Sequence, residues 1–181
     1  MREVHGGDAA EALSDSLPDA AYGQALLPMT SPGISEIGWI EALTALVTLL
    51  IVVVTVLVHY EGLTWIGRVI KRQAFHHRSK ILVLIFAQLG LHFIEIWLFG
   101  LGYFGLTRGG AFGQLLPIPS QGILEFVYFS AITYTTVGYG DFVPQGALRF
   151  LCGMEALTGF VLITWSASFT FLEMQRYWGR D

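Results

Sequence analysis

Charge is scarce in this chain. Asp, Glu, Lys and Arg make up 13% of its 181 residues against 54% apolar, with a mean hydropathy of +0.58. A soluble domain of this size needs more polar surface, so the composition excludes an ordinary globular enzyme or binding module and leaves a membrane protein. Cysteine is nearly absent: Cys152 stands alone in an apolar stretch, which rules out an intrachain disulfide and makes it a small packing residue. The chain has no GxSxG elbow, HExxH helix, Gly-rich nucleotide loop, paired-cysteine motif or internal repeat, so hydrolases, zinc peptidases and nucleotide enzymes lack their signatures here. Basic residues number ten and the net charge is −4, which speaks against a nucleic-acid partner.

What is present is length in apolar runs. Crossing a bilayer takes about 20 apolar residues as a helix, and three segments supply them, at residues 38–60, 81–106 and 147–173. Between the second and third, residues 122–134 are apolar but too short to cross, and a glycine-bearing run follows at once. Such a segment reads as a helix that re-enters the membrane. Irregular backbone at membrane depth is tolerated only against protein or water, so a pore or cavity is implied. The expected fold is all-α, with three transmembrane helices and a re-entrant helix and loop between the second and third.

Orientation follows from charge. Arg68, Lys71, Arg72, Arg78 and Lys80 fall in residues 61–80, half of the ten Lys and Arg in the chain, which makes that connection cytoplasmic. Residues 1–37 carry Glu3, Asp8, Glu11, Asp15, Asp19 and Glu36 against Arg2 alone, and are expected outside. This tail lacks the basic start of a signal peptide, and its Gly, Ala, Ser and Pro content predicts a largely disordered segment. The re-entrant segment then enters from outside, and residues 174–181 form a short cytoplasmic tail in which Tyr177 and Trp178 suit an interfacial anchor. Within the basic connection Leu63, Ile66 and Ile70 share one helical face, as in an interfacial helix, and a solvated linker fits equally well.

Residues 135–141 read Thr135-Thr136-Val137-Gly138-Tyr139-Gly140-Asp141. This run, placed directly after the short apolar helix and flanked by two spans in the right orientation, resembles the pore domain of potassium channels over residues 81–173. The resemblance implies an outer helix at 81–106, a pore helix at 122–134, a selectivity filter at 135–141 and an inner helix at 147–173. It implies potassium as the permeant ion, no other cofactor, and a homotetramer of one chain with three identical subunits in a plasma membrane of the prokaryotic inner-membrane type, among lipid. Carbonyls of Thr136, Val137, Gly138 and Tyr139 would replace the ion's water, because a dehydrating potassium ion needs oxygen ligands at little net cost. Gly138 and Gly140 tolerate the positive φ that lets successive carbonyls face one axis. Thr135, Gly140 and Asp141 would support the filter, with Val137 and Tyr139 side chains bracing the loop and Tyr128 and Phe129 packing around it. Gly159, on the inner helix, falls where relatives often carry a flexible glycine, and is the hinge candidate.

Two departures stand out. The first span has no counterpart in a two-span pore and lacks the spaced arginines of a voltage sensor, so it carries no assigned role. Ile132 occupies a position where some bacterial relatives place an acid behind the filter. The stretch after Glu173, residues 174–181, is too short for a ligand-sensing domain.

Polar groups at membrane depth are costly and therefore candidates for function. Gln88, His92 and Glu95 fall in a narrow arc of the second span, with Glu155 at comparable depth on the third. Pairing of His92 or Glu95 with Glu155, or with the filter's surroundings, is expected. A structural hydrogen-bond network comes first among the readings, then a proton-sensitive gate, then metal binding. A stripe of Glu155, Gly159, Leu162, Ser166, Phe169 and Glu173 could line the conduction path or pack helices, with pore lining favoured for its inner half. The alternatives to a potassium channel are a weakly selective cation channel, or an intramembrane enzyme or transporter using His92, Glu95 and Glu155. The last two lack, respectively, a catalytic motif and the internal pseudo-symmetry of transporters.

Overall fold

The computed structural model describes residues 34–72, 77–117 and 122–178, so the expectations for the acidic tail before residue 34 and for the last three residues lie outside the described residues. The chain divides into two units, Met1–Glu36 and Ile37–Asp181, and apart from the first turn of one helix everything below belongs to the second. The elements in chain order are α1 (Ile34–Arg72), α2 (His77–Arg108), β1 (Leu115–Leu116), α3 (Ile123–Tyr134), β2 (Val143–Pro144) and α4 (Leu148–Trp178). Three stretches, Gly38–Arg72, Ser79–Arg108 and Leu148–Arg176, are long and apolar enough to cross a membrane, whereas α3 is not.

The first helix corrects one expectation. Residues 61–72, read above as an interfacial helix or a solvated linker, continue α1 without a break. The stretch holds no proline, and Leu63, Ile66 and Ile70 are buried against Leu84 and Leu91, with Phe169 packed at the edge. Their shared apolar face meets protein rather than a membrane surface or water. At 1.5 Å per residue the whole helix is about 58 Å long, well beyond a hydrocarbon core of about 30 Å.

The main cluster lies between α2, α3 and α4. Phe99 and Tyr103 of α2, Phe129, Ile132 and Tyr134 of α3, and Leu148 and Leu151 of α4 form its buried centre. Tyr103 and Phe129 meet edge to face at 4.9 Å, the arrangement the ring quadrupole favours. Lipid competes for apolar surface as well as protein does, so close packing and hydrogen bonds, rather than exclusion of water, hold such helices together. Ile132 belongs to this apolar cluster.

β1 and β2 form a two-rung antiparallel pair, Leu115 opposite Pro144 and Leu116 opposite Val143. The Gln145 N–H extends it by donating to the Gln114 carbonyl at 2.8 Å. The clip brings together the two ends of the segment that carries α3 and the loop after it.

Candidate functional site

The loop at 135–141 begins where α3 stops. Thr135 caps the helix at φ −81°, ψ −2°, its N–H still reaching Ala131 O, and its side-chain hydroxyl donates to the same carbonyl at 2.7 Å. Thr136 then turns to φ 60°, an uncommon value for a residue with a Cβ. Positive φ recurs at every second position, at Gly138 (53°) and Gly140 (81°). Two backbone bonds anchor the loop to the helix end, Thr136 N–H to Thr133 O at 2.9 Å and Gly138 N–H to Ile132 O at 3.0 Å. Residues 135–141 are otherwise exposed, with Val137 at 54% and Tyr139 at 73% of full accessibility. Among the described residues those two side chains find no bracing surface.

Asp141 closes the run. One of its carboxylate oxygens accepts the Phe142 N–H at 3.2 Å. A hydrogen bond from the Tyr128 hydroxyl to Asp141 pushes that phenol above its ordinary range. The Tyr128 ring also meets Phe142 edge-on at 6.3 Å, so Tyr128 stands beside the loop while Phe129 turns into the core. Glu125 occupies the first turn of α3, where a negative charge complements the helix dipole.

Gly159 lies where α4 crosses the end of α3. A Cβ built there would fall 2.8 Å from the Tyr134 carbonyl carbon and 2.9 Å from its Cγ, with the carbonyl oxygen nearer still. Close approach of two backbones gives Gly159 a reason to be glycine that needs no bending of the helix.

The intramembrane polar residues divide into three groups. Glu95, wholly buried, is met by His59 Nδ1 of α1 at 2.8 Å, by His92 Nδ1 at 2.8 Å, and by the Tyr134 hydroxyl. Glu155, equally buried, accepts from Tyr103 at 2.6 Å and from Ser130 at 2.5 Å. Gln88 donates to the Ser166 carbonyl at 3.1 Å and accepts from Thr170 at 2.6 Å. The expected pairing of His92 or Glu95 with Glu155 is not formed, because Tyr134 and Ser130 on α3 stand between the two acids and satisfy one each. Glu95 does reach the surroundings of the loop, through Tyr134.

His59 was missed in the sequence because it stands at the end of the first apolar run beside Tyr60 and Glu61, and its partner Glu95 lies on another helix. The signal was its ionisable side chain inside a long apolar run. The stripe on α4 also needs correction: Glu155, Gly159, Leu162, Ser166 and Glu173 are buried within the chain, and Phe169 packs against the α1–α2 cluster. Small residues on this face let helices approach closely. The exposed face of α4 is a different one, carrying Leu157, Val161, Thr164 and Ser168, which share a side at helical spacing.

A family model described as an ion channel matches residues 79–176, more than half of the chain, and covers α2, α3, the loop and nearly all of α4 while leaving α1 outside. Comparison with curated proteins returned no match, and neither did comparison with solved structures.

Proposed function

The chain belongs to the ion channel family, and from that premise we propose that it is one subunit of a potassium-selective channel whose filter is the loop at 135–141. The observation that carries this reading is the positive φ at Thr136, Gly138 and Gly140. A backbone whose hand alternates residue by residue turns successive peptide planes the same way, gathering N–H groups on one side and carbonyls on the other. Carbonyls of Thr136, Val137, Gly138 and Tyr139 then form a ladder of oxygens that can stand in for the hydration shell of potassium.

One chain supplies one wall of such a ladder. A closed ring needs further copies, and we propose a fourfold homotetramer. The exposure of Val137 and Tyr139 supports this, since their bracing surfaces would come from neighbouring chains. In that assembly the exposed face of α4, with Val161, Thr164 and Ser168, lines the path on the inner side of the filter. The carbonyl end of α3 faces the same region and favours a cation there. The basic end of α1, with Arg68, Lys71 and Arg72, lies in the cytoplasm and the acidic tail outside.

Ion flux from protein reconstituted in liposomes tests the proposal. Potassium flux should greatly exceed sodium flux, as expected of a filter that replaces the water shell of one ion and not the other. In Gly138→Ala that ratio should collapse. Beyond its chain neighbours, no described residue lies within 4 Å of the added Cβ, so within one chain the change acts through the strained φ of 53°, at about 1–2 kcal/mol per chain. Equal sodium and potassium flux through the wild type, or an unaltered ratio in the variant, would overturn the assignment.

A further inference from the structure

We propose that His59, His92, Glu95 and Tyr134 form a binding site for a divalent transition-metal ion, Zn²⁺ being the natural occupant, which joins the first helix to the base of the proposed filter. The imidazole nitrogens of His59 and His92 and a carboxylate oxygen of Glu95 lie within 4.8 Å of one another. Tyr134 OH completes the group, 3.0 Å from His92 Nδ1. Two imidazoles, a carboxylate and one further oxygen are a donor set that suits zinc, which takes four ligands in a tetrahedron. With metal–ligand bonds of about 2.0–2.2 Å, neighbouring ligand atoms in a tetrahedron stand about 3.3 Å apart. The His59 and His92 nitrogens sit 2.8 Å from the Glu95 oxygens and Tyr134 OH is closer still to Glu95, so admitting an ion asks the histidines to give by a few tenths of an ångström each and Tyr134 to draw back further.

Three further features point to a cation. Glu95 is fully buried, and its ion-pair partners are the two histidines, which bring positive charge only when protonated. A buried carboxylate without a fixed cation is costly, and a divalent ion removes that cost. Secondly, His92 and Glu95 are three residues apart on one helix and so present both ligands on one face. Thirdly, His59 Nε2 is buried with no hydrogen-bond partner among the described residues, so the ring is held only through Nδ1, the nitrogen that faces Glu95. His92 is 15% exposed and provides the way in.

The geometry is independent of which ion the channel conducts, so the test reads metal and not flux. Full-length protein is purified in detergent, stripped with a chelator and dialysed against Co²⁺ and then Zn²⁺. His5, His76 and His77 are replaced by Asn beforehand, leaving His59 and His92 of the five histidines. Co²⁺ should give the visible absorption of a four-coordinate nitrogen and oxygen site, Zn²⁺ should displace it, and the metal content should be about one ion per chain, as a tetrahedral protein site requires. His59→Ala and Glu95→Gln should each weaken binding at least about tenfold, the scale on which changes around metal sites act. His59→Gln, which keeps volume, replaces His59→Ala if the latter does not yield folded protein. Substoichiometric metal in the parent protein, or equal binding after loss of both His59 and His92, would overturn the proposal and leave the cluster as a hydrogen-bond network.

Discussion

Replacing Gly159 by Ala separates close packing from hinge bending. On α4 alone the change is favourable, because Ala exceeds Gly in helix propensity by roughly 1 kcal/mol. Against the rest of the chain it is not: the new methyl stands 2.8 Å from the Tyr134 carbonyl carbon and 2.9 Å from its Cγ, where ordinary contact begins at 3.4 Å. The neighbour is mostly backbone, which yields less readily than a side-chain tip, so the overpacking cost belongs at the upper end of about 1–3 kcal/mol. The net loss is about 1–2 kcal/mol, or roughly 2–8 °C in melting temperature for a chain of this size. Gly90→Ala is the control, since its Cβ would meet nothing within 4 Å and only the propensity gain remains. Melting followed by tryptophan fluorescence in detergent should show Gly159→Ala below the wild type and Gly90→Ala at or above it. Flux should fall in Gly159→Ala as well, because the strain lands on Tyr134, one residue before the loop. A hinge would behave differently, with the melting temperature unchanged and opening altered. If Gly159→Ala melts with the wild type, the close-packing account is wrong.

Three other outcomes are expected. Native mass measurement in mild detergent should find four chains together; a monomer or dimer as sole species in both detergent and lipid would remove the basis for a carbonyl ring. A cysteine placed at Ser14 should react with an impermeant reagent from outside intact cells, and reaction only after permeabilisation would reverse the assigned orientation. Alkaline titration followed at the tyrosinate band should place Tyr128 above the ordinary phenol range, because its bond to Asp141 favours the protonated form. That bond contributes at lower pH and is lost as pH rises through the raised value; a Tyr128→Phe difference spectrum showing ionisation at or below the ordinary range would refute it.

Much of this was legible in the order of residues because the bilayer reduces folding to a few large signals. Apolar length gave the three long helices, and Ile123–Tyr134 was readable as a short helix from the glycine-bearing run that ends it. The loop was legible because its residue types answer to backbone geometry that few sequences can satisfy. Contacts between helices were not. Composition cannot say which face of an almost uniformly apolar helix meets its neighbour, so pore lining was favoured for the inner half of the Glu155 stripe, which instead packs inside the chain. The same uniformity hid His59, whose partner Glu95 is 36 residues away on another helix. The continuation of α1 to Arg72 was missed for the converse reason: charges on one side of residues 61–72 look like a loop until Leu84 and Leu91 are seen to cover the other.

The bareness of the 135–141 loop bears on how a newly made chain matures. In a single chain this segment is held to α3 by the backbone N–H groups of Thr135, Thr136 and Gly138 and by the Tyr128–Asp141 bond, while Val137 and Tyr139 stand open among the described residues. Such a segment opens far more readily than the packed helices behind it, so it is the part that a quality-control protease reaches first. In the proposed tetramer, contact with sister chains shelters it. The number of working pores should therefore rise more steeply than in proportion to synthesis rate, and cells making little of this protein should lose a larger share of it to degradation than cells making much.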